Sequence, residues 1–405
     1  MRQTLTWLAV LGALALLLAA CGGPGPTQIP RGLDVIVGTP ALNIHVDRDN
    51  FSASPDGIAT LDLGSHGTVL WASIERRNAS QAGYAGCESS GYCWQGRADD
   101  PADGIDDRIL SIDTQFVTLA NGASIPRPVM FTVPSFWQVA PDGSHNCATY
   151  VPTGVEAQAP SYTISGQPQP AMDDADFVRE YVNFVQALAA HLAARPDLYS
   201  RIGGFYIASG YNVEASRLAE WCGITAANSE VTAAEYNTFM QRVIMAWHDA
   251  FPDRPSYLLA AANTDLYYSC VWVKSTPMPT TTPAWFAGIE NLQPANIGLG
   301  HNGMKPDLPG YYVQVGNSGY GCGSLDMIER VQNSLPVKFE PANDNQASAY
   351  GTRRLQYEYW SWLMALNHHP DQVDASMPWW CTDTDGDDAF ATGISEYNQM
   401  SAVYS

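Results

Sequence analysis

The feature that most limits what this chain can fold into is an alternation. From Arg127 onward, short apolar runs of strand length take turns with longer stretches of helical spacing. The pattern is sharpest around Ile202-Gly-Gly-Phe-Tyr-Ile-Ala208, a run rich in β-branched and aromatic residues with a helix pattern on either side. A short apolar run between two helices predicts a strand buried in a parallel sheet. Asp173 to Leu198 is the strongest helix. Asp173 or Asp174 caps it, and Phe177, Tyr181, Phe184, Val185, Leu188 and Leu192 recur at helical spacing.

Other strands are expected at Pro128 to Val133, Ser256 to Ala262, Asn296 to His301, Val337 to Glu340, and near Met377 to Trp380. Helices are expected at Thr232 to Phe251, Trp285 to Leu292, Leu325 to Leu335, Ser348 to Asn367 and Phe390 to Val403. Upstream, Leu33 to Val37 and Thr68 to Ile74 look like strands, with Ala41 to Val46 at an edge, and Ile105 to Leu119 looks like a helix. Pro134 to Val139 reads as an exit loop. The polar segment Arg76 to Asp107 reads as a functional loop or a local insertion.

Six strand-then-helix units follow Arg127, with room for two more before it. Alternating units imply a parallel sheet. Eight of them in about 370 residues suit a closed (β/α)8 TIM barrel with long loops at the C-terminal face of the strands. An open doubly wound sheet is the second architecture. Gly298-Leu-Gly-His-Asn-Gly303 matches a dinucleotide-binding pattern by letter. Its first glycines fall inside a strand, and Pro306 and Pro309 stand where a phosphate-binding helix should open, so the match reads as chance.

A barrel gathers its strand exits on one face, where catalytic groups sit. Counting back from the last strand, Glu214 leaves strand four and Glu340 ends strand seven, halted by Pro341. Two carboxylates on different strand ends are what glycosidic bond cleavage requires. At these residues the chain resembles the superfamily of retaining glycoside hydrolases built on (β/α)8 barrels. The resemblance implies Glu214 as the acid/base and Glu340 as the nucleophile. That family commonly has Asn directly before its acid/base Glu, whereas here Asn212 and Glu214 are separated by Val213.

Aromatic faces stack on sugar rings, and Trp137, Trp272, Tyr320, Trp379 and Trp380 fall at or beyond strand ends. His301 and Asn302 at the end of strand six are candidate sugar ligands. So is Asn212, if it keeps its family role. Asn343 and Asp344 follow Glu340 and are placed to orient it, with Asp265 after strand five a weaker candidate. No GxSxG nucleophile elbow occurs. Asp383, Asp385 and Asp387 resemble the start of a calcium loop, but the glycine is misplaced and the closing Glu missing. We expect no metal and no cofactor.

Charge and the N-terminus set the compartment. Lys and Arg total 20 against 41 Asp and Glu, a net charge of −21, which argues against nucleic acid as a partner. Arg2 precedes an apolar run from Leu5 to Ala20 that is short for a membrane span and ends in Leu18-Ala-Ala-Cys-Gly22. This resembles a bacterial lipoprotein signal. The resemblance implies removal of residues 1–20, lipidation of Cys21, and an extracytoplasmic protein anchored to the membrane or cell surface. Residues 21–31 then form a Gly/Pro-rich tether, and residues 32–405 the barrel domain.

Beyond Cys21 stand Cys87, Cys93, Cys147, Cys222, Cys270, Cys322 and Cys381, an odd number in a compartment that permits disulfides. Cys87 and Cys93 share one Gly/Ser-rich loop and are the favoured pair. The expected function is a lipid-anchored glycosidase acting with retention on a carbohydrate. The alternatives are a non-catalytic glycan-binding surface lipoprotein on the same barrel, which the displaced Asn212 favours, and a hydrolase of a different bond.

Overall fold

The computed structural model describes residues 34–37, 62–101, 104–113, 117–118, 124–125, 129–133, 136–138, 147–149, 151–156, 161–164, 167–170, 174–207, 233–261, 288–304, 324–341, 361, 364–365, 368 and 370–375. Eight strands pair in parallel: β1 Asp34–Val37, β2 Asp62–Thr68, β3 Val129–Thr132, β4 Ile202–Tyr206, β5 Ser256–Ala261, β6 Ile297–Met304, β7 Val337–Pro341 and β8 Gln372–Ala375. Each is hydrogen-bonded to its neighbour in the chain, and β8 to β1, so the sheet closes into an α/β barrel.

The pairing can be followed round the ring. From Asp62 it passes through Asp34, Gln372, Lys338 and Gly300. Two residues back, at Gly298, it continues through Tyr257, Tyr206 and Thr132 and returns to β2 at Thr68. The stagger is eight residues: six along β2 and the two stepped back on β6. That is the shear of an eight-stranded parallel α/β barrel.

The same path separates two faces, because side chains alternate along a strand. Met130, Tyr206 and Tyr257 are buried against one another, and Lys338 Nζ on β7 lies 5.0 Å from the centre of the Tyr206 ring on β4. β4 and β7 are not neighbours, so this contact crosses the lumen. The alternate residues face the helices. Phe205 of β4 meets Trp247 and Phe251, with ring centres 5.3 and 4.0 Å apart.

The helices follow from their apolar stripes. Helix α1 covers Trp71–Ile74, α2 Ile105–Asp113, α3 Thr153–Glu156, α4 Ala175–Ala194, α5 Pro196–Tyr199, α6 Ala233–Ala250 and α7 Ser324–Val331. Asp174 is the cap of α4: its Oδ1 accepts from the backbone N–H groups of Asp176 and Phe177 at 2.8 and 3.3 Å. Every apolar position singled out for this helix is buried. Trp247 Nε1 of α6 donates to the Tyr181 hydroxyl of α4 at 3.1 Å, so the two helices share a buried polar contact. At the end of α6, Asn296 donates to the carbonyls of His248 and Phe251 at 3.0 and 2.8 Å, supplying partners to carbonyls the helix leaves open.

Several expectations are corrected. Thr68 to Ile74 is not a strand: β2 ends at Thr68 and Trp71–Ile74 is helical. There the Trp71 ring sits 5.4–5.9 Å from those of Phe177, Tyr181 and Phe184, so burial against α4 overrides β-propensity. The helix opening at Ile105 stops at Asp113, and Val117–Thr118 pairs with Ser124–Ile125 instead. Phe136–Gln138 is not a plain exit loop but pairs antiparallel with Cys147–Thr149. Gln372–Ala375 is the strand that closes the barrel, ahead of the expected Met377 to Trp380, which lies outside the described residues.

The segment after α1 packs as a pad on α4. Cys87 and Cys93 form a disulfide, as the loop spacing suggested. Trp94 stacks on His191 of α4 at 4.2 Å, and Tyr92 stacks on Trp94 at 5.3 Å. Asp106 accepts from Arg195 at 2.8 Å and contacts His191 Nε2 at 2.7 Å. Gly104 lets two backbones meet, since a Cβ there would fall 1.8 Å from the Gly96 nitrogen. The long polar loop is thus a local insertion clamped to the helical layer.

Candidate functional site

The strand ends bring part of the expected site into one place. Glu340 is the next-to-last residue of β7, and Pro341 ends the strand because it has no N–H to donate. Asn302 is the register partner of Glu340 on β6. Position 340 stands two residues beyond Lys338, on the lumen face of β7. The barrel therefore presents a carboxylate position and an amide position side by side on neighbouring strands. Glu214 comes eight residues after the last residue of β4 and lies outside the described residues, as does Asn212.

His301 is not at a strand exit. β6 runs on through Met304, and His301 is wholly buried within it. Its ring is 6.4 Å from that of Phe339, its register partner, and Phe339 in turn lies 5.6 Å from buried His368. His301 thus belongs to the helix-facing side. The run Gly298-Leu-Gly-His-Asn placed it one register off the lumen face, and the expectation of a sugar contact is corrected on that ground. Trp137 stands opposite Ala148 in the short antiparallel pair that follows β3. Cys21, Asp265, Trp272, Tyr320, Asn343, Asp344, Trp379, Trp380 and the Asp383–Asp387 loop lie outside the described residues.

Sequence reasoning passed over Lys338. It is wholly buried, between Val337 and Phe339, which are also wholly buried. A lysine inside a strand that a barrel covers on both faces is the signal that could have found it. In the lumen it reaches the ring of Tyr206, which packs with Tyr257 and Met130, and Gly298 leaves space for the Tyr257 ring.

A second set of buried charges lies on the helical layer. Glu75 is buried at the end of α1, where it accepts from Trp71 Nε1 at 2.9 Å and pairs with Arg77. Burial pushes its carboxyl up, against the hydrogen bond from Trp71 and the charge of Arg77. Arg77 also donates to Glu180 of α4 at 2.9 Å, and Arg179 donates to the same carboxylate at 3.0 Å. Burial would raise Glu180, but those hydrogen bonds outweigh it and hold its carboxyl below the ordinary value. Burial, then the charge of Glu75, pushes the Tyr92 phenol up. Each carboxylate is taken up by an arginine, so the cluster ties the pad to α4 and is not a reactive pair. Among the described residues, no group of three or more His, Cys, Asp or Glu side chains is placed to hold a metal ion. Nor is any described helix long and apolar enough to cross a membrane.

The chain matches no protein family model and no curated protein. Among solved structures it is similar to an exo-β-1,4-mannosidase from Opitutaceae bacterium strain TAV5, at 10% identity over 92% of this chain with a TM-score of 0.46. The chain spans 62% of that protein's length. It is also similar to GH5_18 from Streptomyces cattleya in complex with GlcNAc, at 12% identity, covering 91% of this chain and 81% of that one, TM-score 0.44. A third is an intracellular xylanase from Thermoanaerobacterium saccharolyticum, at 10% identity, covering 86% and 89%, TM-score 0.38. The barrel described above stands on its own strand pairing and stagger.

Proposed function

We propose that this chain is a glycoside hydrolase that cleaves a carbohydrate with retention, on a (β/α)8 barrel with long loops at the C-terminal strand ends. One observation carries the reading: the closed parallel barrel carries Glu340 as the next-to-last residue of its seventh strand, beside Asn302, and its fourth strand precedes the segment holding Glu214. In this reading Glu340 attacks the anomeric carbon as a carboxylate. Glu214 gives its proton to the leaving oxygen, then takes one from the water that releases the sugar. Asn302, Asn343 and Asn212 bind hydroxyls or orient the carboxylates, and Trp137, Trp379 and Trp380 offer stacking faces. The protein acts outside the cytoplasm, held to a membrane by a lipid on Cys21.

A panel of aryl glycosides and polysaccharides tests this, with the first-formed anomer followed by NMR. Turnover with retained configuration, lost in Glu340→Gln and in Glu214→Gln, supports the proposal. Hydrolysis that survives Glu340→Gln undiminished removes the nucleophile. The second reading is a glycan-binding surface lipoprotein without turnover, which the separation of Asn212 from Glu214 favours. Saturable glycan binding, unchanged in Glu340→Gln and with no product formed, would select it.

A further inference from the structure

The outer wall of the barrel carries a groove away from the strand exits. It runs between α4 and α6, open to solvent, with a volume of about 690 Å³. Ala189, Ala190 and Ala193 of α4 and Ala246 and Ala250 of α6 line it, so a neighbouring surface meets little side-chain bulk there. Met245 also lines it at 38% exposure, one of two exposed large apolar side chains among the described residues. Two charges bracket Met245 on the same helix, Arg242 three residues before it and Asp249 four residues after. Seven residues are close to two helical turns, so Arg242 and Asp249 share one face of α6, about 10.5 Å apart along its axis. Both are exposed, and neither side chain has a hydrogen bond or ion pair. Arg179, at the far end of the groove, is by contrast taken up by Asp176 and Glu180.

One positive and one negative charge about a central apolar residue make a self-complementary face. Turned by a two-fold axis at right angles to α6, level with Met245 and Ala246, the face meets itself antiparallel. Arg242 then lies opposite the partner's Asp249, and Asp249 opposite the partner's Arg242, the reciprocal pairing of an isologous contact. Met245 meets its own copy beside the alanines. A partner surface of one sign would leave either Arg242 or Asp249 against its like, whereas a second copy satisfies both.

We propose that α6, with the groove beside it, is where two copies of this chain associate about a two-fold axis. The helices of such a barrel run along its strands, so the two mouths open in opposite directions and both stay free. From Arg179 to Ala193 the groove runs roughly 21 Å. A face of that length offers less than the roughly 800 Å² per partner of a standard interface, so the dimer is weak and reversible. The proposal stands apart from the glycosidase reading.

Sedimentation velocity of the full chain, in a concentration series up to about 1 mM, tests it. Every sample carries Cys21→Ser so that no lipid drives association. The unaltered face should give a monomer–dimer equilibrium. Arg242→Glu or Asp249→Arg alone should weaken it about tenfold or more, because each sets like charges together twice. Mixed in equal amounts, the two variants should recover the affinity, since one chain then carries two negative positions and the other two positive. Circular dichroism checks that each variant keeps its fold. Met245→Asp, a third exposed position, should abolish the dimer and decides the matter should a charge variant unfold. A monomer at every concentration overturns the proposal. So does a dimer whose constant none of the three variants changes, since it would use another face. A mixture no tighter than either variant alone overturns the two-fold pairing.

Discussion

Replacing Gly298 by alanine tests whether the lumen is packed as described. Gly298 is buried on β6. A Cβ there would stand 2.5 and 2.6 Å from two ring carbons of Tyr257 and 2.8 Å from the carbonyl oxygen of Pro336. Ordinary contact begins near 3.4 Å, so the ring would have to withdraw by nearly 1 Å. It has no free path, because Tyr257 is itself wholly buried against Met130 and Tyr206. The Pro336 carbonyl cannot yield either, since it accepts from Leu299 N–H at 2.9 Å in the β6–β7 ladder. Overpacking of this kind costs about 1–3 kcal/mol, and two immovable neighbours put Gly298→Ala towards the top of that range. Denaturant unfolding, followed by fluorescence and circular dichroism together, should show a lower midpoint with an unchanged slope. In a Tyr257→Ala background the ring clash is gone and the Pro336 carbonyl contact remains, so the cost of Gly298→Ala should fall without vanishing. A neutral or stabilising Gly298→Ala in the wild-type background would refute the packing.

Two further predictions concern the pad. Glu180 has a folded value below its unfolded one, so its contribution is complete above the unfolded value of about 4.3 and lost as pH falls through the folded value. Glu180→Gln should be less stable than wild type at pH 7 by about 1–2 kcal/mol, allowing for the partly exposed arginines, and should match it near pH 2 in melts across pH. Breaking the disulfide by Cys87→Ser with Cys93→Ser releases a loop spanning a separation of six residues, a loss of about 2 kcal/mol on the chain-entropy account. Hydrogen exchange should speed up around residues 84–97 and not in β4, β5 or β6.

Much of the barrel was legible because its strongest strands are apolar runs set between helices. β3, β4, β5 and β7 fall where the periodicity puts them, and the seventh strand runs one residue past the expected end at Glu340, to Pro341. The strands that escaped are those whose own residues do not favour extension. Asp62-Leu-Gly-Ser-His-Gly-Thr68 carries two glycines, an aspartate and a serine, and it is a strand because β1 and β3 pair with it. Gln372-Val-Asp-Ala375 is polar, and the neighbouring aromatic Trp379 and Trp380 drew the reading past it. His301 was misread for a different reason. Its position near the strand end was right to within three residues, but a period of two makes the face depend on a single residue. Lys338 was missed because the search for chemistry went to exits, whereas this charge sits one row beneath them.

The central claim is that Glu214 and Glu340 form a catalytic pair across the mouth of the barrel. A crystal structure measuring the separation of their carboxyl groups tests it most directly. The account predicts about 5–5.5 Å across an open cleft, the spacing of a retaining enzyme. A separation beyond about 9.5 Å, or a Glu214 carboxylate tied to an arginine away from the lumen, would contradict it.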